Sequence, residues 1–452
     1  MADEKPQVSF IGLGAMGFGM ATHLLKQGYT VTGFDVWGPT LDRFEAAGGR
    51  RAATPAEAVA DKPFCVCMVA TAQQAQSVLV EGPHAAVSTL PKGAALLLCS
   101  TVPCEYVQSL QQKLEGLGRG DILLVDCPVS GGAGRAADGT LSIMAGASAA
   151  ALAKARPLLA EMADPSKLYI VQGGVGAGSN MKMVHQVLAA CQILAASEAM
   201  GFADHLGVNL TKAHDAVLAS DAWNWMFEHR VPRMLAQPQF QPVASAILII
   251  MKDTSIITAE ARRCSFPTLM TSTAEQVYFS GIVRGFGPDD DSSLIRLYTD
   301  GKSKTKPAQA LGEEEEKKAL DLVINLLKGI LLCSAAEAIA FAQAVGLDLD
   351  QVFDLCINAA GGSKMLQKHG PEMIKAFRNG TAIKGWDSAD SGGERLIDVA
   401  ESLRDAVTEA QRLKMPLFLG NQASSLMTLA LKAGTSSPAA GSVVKVWAAG
   451  LV

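Results

Sequence analysis

The chain has 452 residues, 49% of them apolar and 18% charged, with a net charge of −5. That length predicts two to four domains with ample core. No basic stripe favours nucleic acid, the polar start Met1-Ala-Asp-Glu-Lys-Pro-Gln7 is unlike a signal peptide, and the oiliest short run, Ile247–Met251, is too short to span a bilayer. Nine cysteines, at 65, 67, 99, 104, 127, 191, 264, 333 and 356, form no metal-binding cluster with histidines. Cys65 and Cys67 flank Val66 on a strand-like run and so point the same way. They read as reduced, buried thiols of a cytoplasmic protein, with no metal site, no nucleic acid and no membrane.

In chain order, Val8–Ile11 is an apolar strand, followed by a glycine turn over Gly12–Gly17 and a helix from Ala15 to Gln27 that Gly28 stops. Tyr29–Phe34 is a β-branched strand ending in Asp35. Phe64–Val69, Ala94–Cys99, Ile122–Asp126, Leu141–Ala145 and Leu168–Val171 are further strands between helical stretches. The alternation over residues 8–172 predicts an α/β fold with a parallel, doubly wound sheet, and a first domain over 1–178. Strand patterns then stop. Residues 180–206 read as one long, almost wholly apolar helix, buried on most sides. More helices follow to about Tyr298, giving an all-α domain over 179–300. A polar linker over 301–312 leads to Glu313–Glu316, whose carboxylates suit the positive end of a new helix.

Residues 313–452 repeat the helical domain. Leu188–Val208 and Leu327–Leu347 align without a gap, matching Glu198 to Glu337, Phe202 to Phe341 and Gly207 to Gly346. Trp225-Met-Phe matches Lys364-Met-Leu, Pro232 matches Pro371, and Pro267 matches Pro416 after a ten-residue shift assigned to an exposed loop near Gly380 to Gly393. The copies differ in chemistry. Lys182, His185 and Gln186 of the first face Asp321, Ile324 and Asn325 of the second, and Glu401 falls opposite Lys252.

Three segments carry chemistry. In Gly12-Leu13-Gly14-Ala15-Met16-Gly17, the first glycine permits a tight turn, the second lets the backbone approach a pyrophosphate, and the third allows close helix–strand packing. The helix N-terminus supplies amide hydrogens. Asp35, closing the second strand, would accept from ribose hydroxyls and repel a 2′-phosphate, which favours NAD with NADP still possible. Asp126-Cys-Pro-Val-Ser130-Gly131-Gly132 follows a strand. Its hydroxyl and amides could hold a carboxylate, and a plain turn explains the glycines equally well. Gly174-Val-Gly-Ala-Gly178 leads into the long helix, where Lys182, His185 and Gln186 share a face. Burial would lower a lysine pKa from about 10.4 toward the 7 to 8 that suits acid–base work, about 3 units or on the order of 4 kcal/mol. A lysine snorkelling to solvent is the plain alternative.

Together these segments, with Gly139-Thr-Leu141 and Lys252-Asp253, resemble the β-hydroxyacid dehydrogenase superfamily, which includes 3-hydroxyisobutyrate and 6-phosphogluconate dehydrogenases. The resemblance covers residues 8 to about 298. It implies an NAD-dependent Rossmann domain followed by two tandem all-α domains of the 6-phosphogluconate dehydrogenase kind. It also implies Lys182 as general acid–base group, Ser130-Gly131-Gly132 on the substrate carboxylate, and Val69, Thr101 and Lys252 with the cofactor. His185 stands where most of the family carries asparagine. His185-Gln186, Trp225-Met-Phe-Glu-His-Arg230 and Asp290-Asp-Ser-Ser-Leu-Ile295 are similar to the L-threonate dehydrogenase branch, which implies a small hydroxy-acid substrate with His185 and Gln186 on its hydroxyls. Two other readings stand beside this. One is NADPH-dependent reduction of glyoxylate or succinic semialdehyde, against which Asp35 speaks. The other is a silent dinucleotide-binding scaffold, against which Lys182 and Ser130 speak. The second helical copy is expected to be non-catalytic and to pack on the first as an intramolecular pseudo-dimer, with homo-oligomers possible.

Overall fold

A computed structural model of the chain describes residues 5–236, 240, 243–299, 311–378, 393–433 and 439–448. Residues 301–310 of the expected linker and 380–392 of the expected loop lie outside the described residues. The chain divides into two compact units, Met1–Lys182 and Met183–Val452.

The first unit holds a nine-stranded sheet in the order β3-β2-β1-β4-β5-β6-β8-β7, with β9 also on β8. The strands are β1 (Val8–Ile11), β2 (Val31–Phe34), β3 (Arg50–Arg51), β4 (Phe64–Cys67), β5 (Ala95–Leu98), β6 (Leu123–Asp126), β7 (Val129–Ser130), β8 (Leu141–Ala147) and β9 (Ala163–Ile170). From β3 through β6 every pairing is parallel. The far edge departs from the expected parallel sheet: β8 runs antiparallel to both β6 and β7. Only residues 131–140 separate β7 from β8, and a parallel return needs a crossover of a dozen residues or more. Helices α1 (Ala15–Lys26), α2 (Gly38–Ala46), α3 (Pro55–Val59), α4 (Ala72–Leu79), α5 (Cys104–Gly116), α6 (Gly132–Asp138) and α7 (Ala149–Met162) accompany it. The central strands are buried on both faces, as continuous apolar runs require. Phe10, Val66, Leu97 and Val125 enter one core with Met20, Phe44 and Leu158. Ile11, Cys65, Cys67, Leu96 and Leu98 enter the other, so the two cysteines do share a face. All nine cysteines are free thiols.

Helix α8 (Ala177–His205) begins in the first unit and continues into the second. It is followed by α9 (Leu210–Leu218), α10 (Trp225–Leu235), α11 (Ile247–Arg263) and α12 (Leu269–Val283). The same order returns as α13 (Glu313–Ala344), α14 (Leu349–Ile357), α15 (Lys364–Arg378), α16 (Leu396–Leu413) and α17 (Phe418–Lys432), before a short α18 (Lys445–Ala448). Both α8 and α13 are long and apolar enough to cross a membrane, but their most apolar windows are 100% and 78% buried inside the protein. That is how the core helices of a folded domain look.

Within the second unit the two helical sets exchange equivalent contacts. The Glu198 carboxylate, on α8, accepts from the backbone amides of Leu419 (2.8 Å) and Gly420 (3.1 Å) at the start of α17. The Glu337 carboxylate, on α13, accepts from the amides of Met270 (2.7 Å) and Thr271 (2.9 Å) at the start of α12, and from the Thr271 hydroxyl. These glutamates are the pair the sequence register matches. Asn224 and Ser363, which the register also matches, meet each other in an antiparallel bridge. There Trp225 N–H donates to Gly362 O and Lys364 N–H donates to Trp223 O.

Burial pushes both glutamates up from the ordinary carboxylate range to about 7, against the amides that favour the ionised form. A raised carboxylate pKa means that the folded chain holds the proton longer than the unfolded chain. Its contribution to stability is present below about pH 4.5 and is lost as pH rises through 7. Each site carries about 3 kcal/mol of that change. Urea unfolding at pH 6 and pH 8 should therefore give the lower stability at pH 8. The difference should shrink in Glu198→Gln/Glu337→Gln, and an undiminished difference in that variant would refute the assignment.

Candidate active site

In the first unit the expected cofactor residues converge on the carboxyl edge of β1, β2, β4 and β5. Gly12 adopts a φ of +91°, and a Cβ there would lie 2.3 Å from Met68 O and 3.0 Å from Val69 Cγ1. The turn thus needs glycine and lies against Val69. A Cβ on Gly17 would lie 2.0 Å from Gly12 O, which explains the third glycine as a packing requirement. Asp35 is tied to this turn, since its Oδ2 accepts from Leu13 N–H at 2.7 Å and its Oδ1 from Trp37 N–H at 2.9 Å. Val69 N–H donates to Ser100 Oγ at 2.8 Å, which brings the segment before Thr101 to the same edge.

These residues fit a dinucleotide. No side chain caps the N-terminus of α1, so its first amides keep their donors. A Cβ on Gly14 would meet nothing within 4 Å, so the turn opens to space where a pyrophosphate can approach the backbone. Ala15 and Met16 are the first two residues of that helix.

Ser130 is buried at the end of β7, where it pairs with Ser142 of β8. Gly131 and Gly132 have φ of +143° and +73°. The backbone alone therefore asks for both glycines, and this favours the turn as the reason for their identity. The carboxylate role is left resting on the Ser130 hydroxyl and the local amides.

Lys182 is only 5% exposed, so it does not snorkel. The start of its helix is pinned by a residue that the motif contained but that sequence reasoning gave no role. Asp126, fully buried at the end of β6, accepts from Ser179 N–H and Ser179 Oγ–H, both at 2.7 Å. Burial pushes its carboxyl up to about 6, opposed by these bonds and by the amides of Gly176 and Gly178. Gly178 is equally constrained, because a Cβ there would lie 2.3 Å from Met144 O and 2.5 Å from Asp126 O. One turn before Lys182, the helix is thus locked to β6 and β8. Asp126→Ala would orphan the Ser179 donors at a cost of about 1–3 kcal/mol. Chemical denaturation should show that loss together with a lower kcat, and wild-type values for both would refute the positioning role.

In the second unit, His185 and Gln186 on α8 are buried, and Gln186 reaches α11. Its Nε2 donates to Asp253 Oδ2 at 2.5 Å, and its Oε1 lies 2.9 Å from His185 Nδ1. Lys252 Nζ lies 3.1 Å from Asp253 Oδ1. Two of the three sequence segments that resemble the L-threonate dehydrogenase branch, Trp225–Arg230 and Asp290–Ile295, are brought together here. Arg230 pairs with the buried Asp291 (2.9 Å) and Arg233 with Asp290 (2.9 Å). Asp290 also accepts from Ala244 N–H at 2.8 Å, and Ala246, the residue before α11, bridges to it. This network anchors the helix that carries Lys252 and Asp253.

Glycine turn, acidic strand end and buried lysine together define the first unit as a Rossmann-type dinucleotide-binding domain set ahead of a helical unit. Comparison with known proteins agrees. The NAD-binding domain of 6-phosphogluconate dehydrogenase matches residues 7–174, and the NAD-binding domain of NADP-dependent 3-hydroxyisobutyrate dehydrogenase matches residues 176–298 and 318–385. An L-threonate dehydrogenase of Cupriavidus necator is 36% identical over 291 residues, which are 64% of this chain and 95% of that protein. A 3-hydroxyisobutyrate dehydrogenase structure from Salmonella typhimurium, 32% identical, superposes with a TM-score of 0.59 over 65% of this chain and 100% of its own. The 6-phosphogluconate dehydrogenase of Plasmodium falciparum, 15% identical, shares the fold over 95% of this chain and 94% of its own, with a TM-score of 0.65. This chain belongs to the β-hydroxyacid dehydrogenase superfamily. It is an NAD(P)-dependent oxidoreductase that acts on a CH–OH group of a hydroxy acid.

Proposed function

We propose that the chain oxidises a small polyhydroxy acid, with L-threonate or a close stereoisomer first in line, and that NAD is its preferred cofactor. The observation that carries this reading is the burial of Lys182 in the first turns of α8, directly after a helix start fixed by Asp126. A lysine so placed is costly unless it is used or paired, and its place in the motif favours use. Ser130 and the amides of Gly131 and Gly132 hold the substrate carboxylate. Lys182 Nζ takes the proton of the reacting hydroxyl and returns it in the reverse direction. The bound nicotinamide supplies the hydride acceptor. His185 and Gln186 orient the remaining hydroxyls. The likeness to the L-threonate dehydrogenase of Cupriavidus necator supports this substrate class. In a kinetic comparison, kcat/KM for L-threonate should exceed that for 3-hydroxyisobutyrate by at least about tenfold. The reverse order would contradict the reading.

Asp35 underlies the preference for NAD. A carboxylate already fixed to the glycine turn accepts from a ribose diol and repels a 2′-phosphate. Asp35→Ala should shift the NAD-to-NADP ratio of kcat/KM toward NADP by about tenfold or more. An unchanged ratio would remove Asp35 from the discrimination.

The second helical set serves as the first set's packing partner and carries no reaction centre of its own. Asp321 is exposed where Lys182 is buried, and Glu401 is exposed opposite Lys252. The space in this set that corresponds to the Gln186–Asp253 contact is a cavity of about 70 Å³ lined by Asn325, Lys328, Glu394, Asp398, Val399 and Ser402. Lys328 and Glu394 pair there at 2.7 Å. Ligand sites are commonly several hundred Å³ in volume.

A further inference from the structure

His185 can help a substrate in two opposite ways, because a neutral imidazole donates from one nitrogen and accepts at the other. Its neighbours decide between them. Asp253 is buried, 4% exposed, and Lys252 Nζ lies 3.1 Å from its Oδ1. A carboxylate in such an ion pair only accepts. The Gln186 amide must therefore turn its NH2 toward Asp253 Oδ2, 2.5 Å away, and this leaves Oε1 as the atom facing His185 Nδ1 at 2.9 Å. An amide oxygen has no proton to give, so the proton of that bond belongs to Nδ1.

We infer that Asp253, acting through Gln186, is a positioning residue that fixes the His185 proton on Nδ1, so that Nε2 accepts a hydrogen bond from a second hydroxyl of the substrate. The inference rests on the substrate reading above and sharpens it. An amide at position 185 could rotate to offer either a donor or an acceptor. The locked imidazole offers only the acceptor. A free hydroxyl beside the reacting one satisfies it, whereas a methyl group, an ether or a carbonyl does not. Selection for a polyhydroxy acid is then written in three residues from two helices, α8 and α11. Lys252, expected on the cofactor side, is tied to the same relay through Asp253.

The test uses the full chain labelled with ¹⁵N-histidine, above neutrality, with the His185 signal assigned by its loss in His185→Asn. Nitrogen shifts and two-bond couplings distinguish the tautomers. The wild type should show Nδ1–H. In Asp253→Asn the new carboxamide can donate, which frees Gln186 to turn over, so the signal should move toward Nε2–H. The same variant should lose about ten- to a hundredfold in kcat/KM for L-threonate, mostly through KM, and the ratio of its kcat/KM for L-threonate to that for a monohydroxy acid should fall by about tenfold. An Nε2–H tautomer in the wild type overturns the inference whatever the substrate proves to be. So does an Asp253→Asn variant with unchanged tautomer and selectivity. A wild type that shows Nδ1–H but turns over no polyhydroxy acid supports the relay and overturns the substrate reading instead.

Discussion

Lys182→Ala should lower kcat by about a hundred- to ten-thousandfold, the range expected when a positioned acid–base group is lost. Dinucleotide affinity should stay near wild type. The two effects separate because the groups that fit the dinucleotide belong to the β1–α1 turn and to Asp35, whereas Lys182 belongs to α8. The fold should also persist. Alanine is the strongest helix former, and the start of α8 is held by Asp126 and Ser179 rather than by the lysine. Lys182→Arg is the stricter variant. It keeps the charge and some of the bulk, yet guanidinium does not give up its proton in proteins. It too should be severely impaired. Near-normal turnover by either variant, in single-turnover and steady-state assays, would take the proton-transfer role away from this residue.

Removing residues 313–452 should leave a chain that aggregates or is forced into a dimer. The reason lies along α8. Leu188 lies against Gly361, Gln192 donates to Gly361 O at 2.8 Å, Glu198 accepts from Leu419 and Gly420, and Gly201 lies against Met415. These contacts run from Leu188 to Gly201, so the second set covers that side of α8 over more than three turns. Without that set the most apolar window of the helix, now wholly buried, loses the cover on that face. The amides at the start of α12 lose the Glu337 carboxylate as well. Two orphaned donors alone cost about 2 kcal/mol or more. A second truncated copy could restore both, because the contacts are reciprocal, and light scattering would report the dimer. A soluble, monomeric and fully active truncation would contradict the packing role.

What the sequence revealed and what it concealed divide along a physical line. Gly12–Gly17 and Asp35 are legible because a turn and a strand end impose local residue types. Lys182 stands out because a charge within an apolar helix is conspicuous, and Glu198 and Glu337 stand out because the repeat keeps its register. What stays hidden are pairings between distant residues. Asp126 meets Ser179 across 53 positions and Gln186 meets Asp253 across 67. No periodicity links such pairs. Arg230 and Asp291 could be picked out as marks of a family branch, but only the fold shows them as one ion pair that anchors α11. The antiparallel turn of β8 was missed for a related reason. Strand–helix alternation gives no direction, and the clue was the shortness of the link from Ser130 to Leu141. The positive φ values of Gly131 and Gly132 weigh the other way, since the turn itself demands glycine at two positions that could be taken for functional.

The proposed reaction removes a hydride from a small hydroxy acid at a site built around Lys182. The most direct measurement is NADH formation by the full chain across C3 to C6 hydroxy and sugar acids, with L-threonate and its stereoisomers included and Lys182→Ala run in parallel. Substrate-dependent NADH formation is expected from the wild type, strongest with a polyhydroxy acid, and nearly none from the variant. Tight NADH binding with no oxidation of any acid in the panel would contradict it.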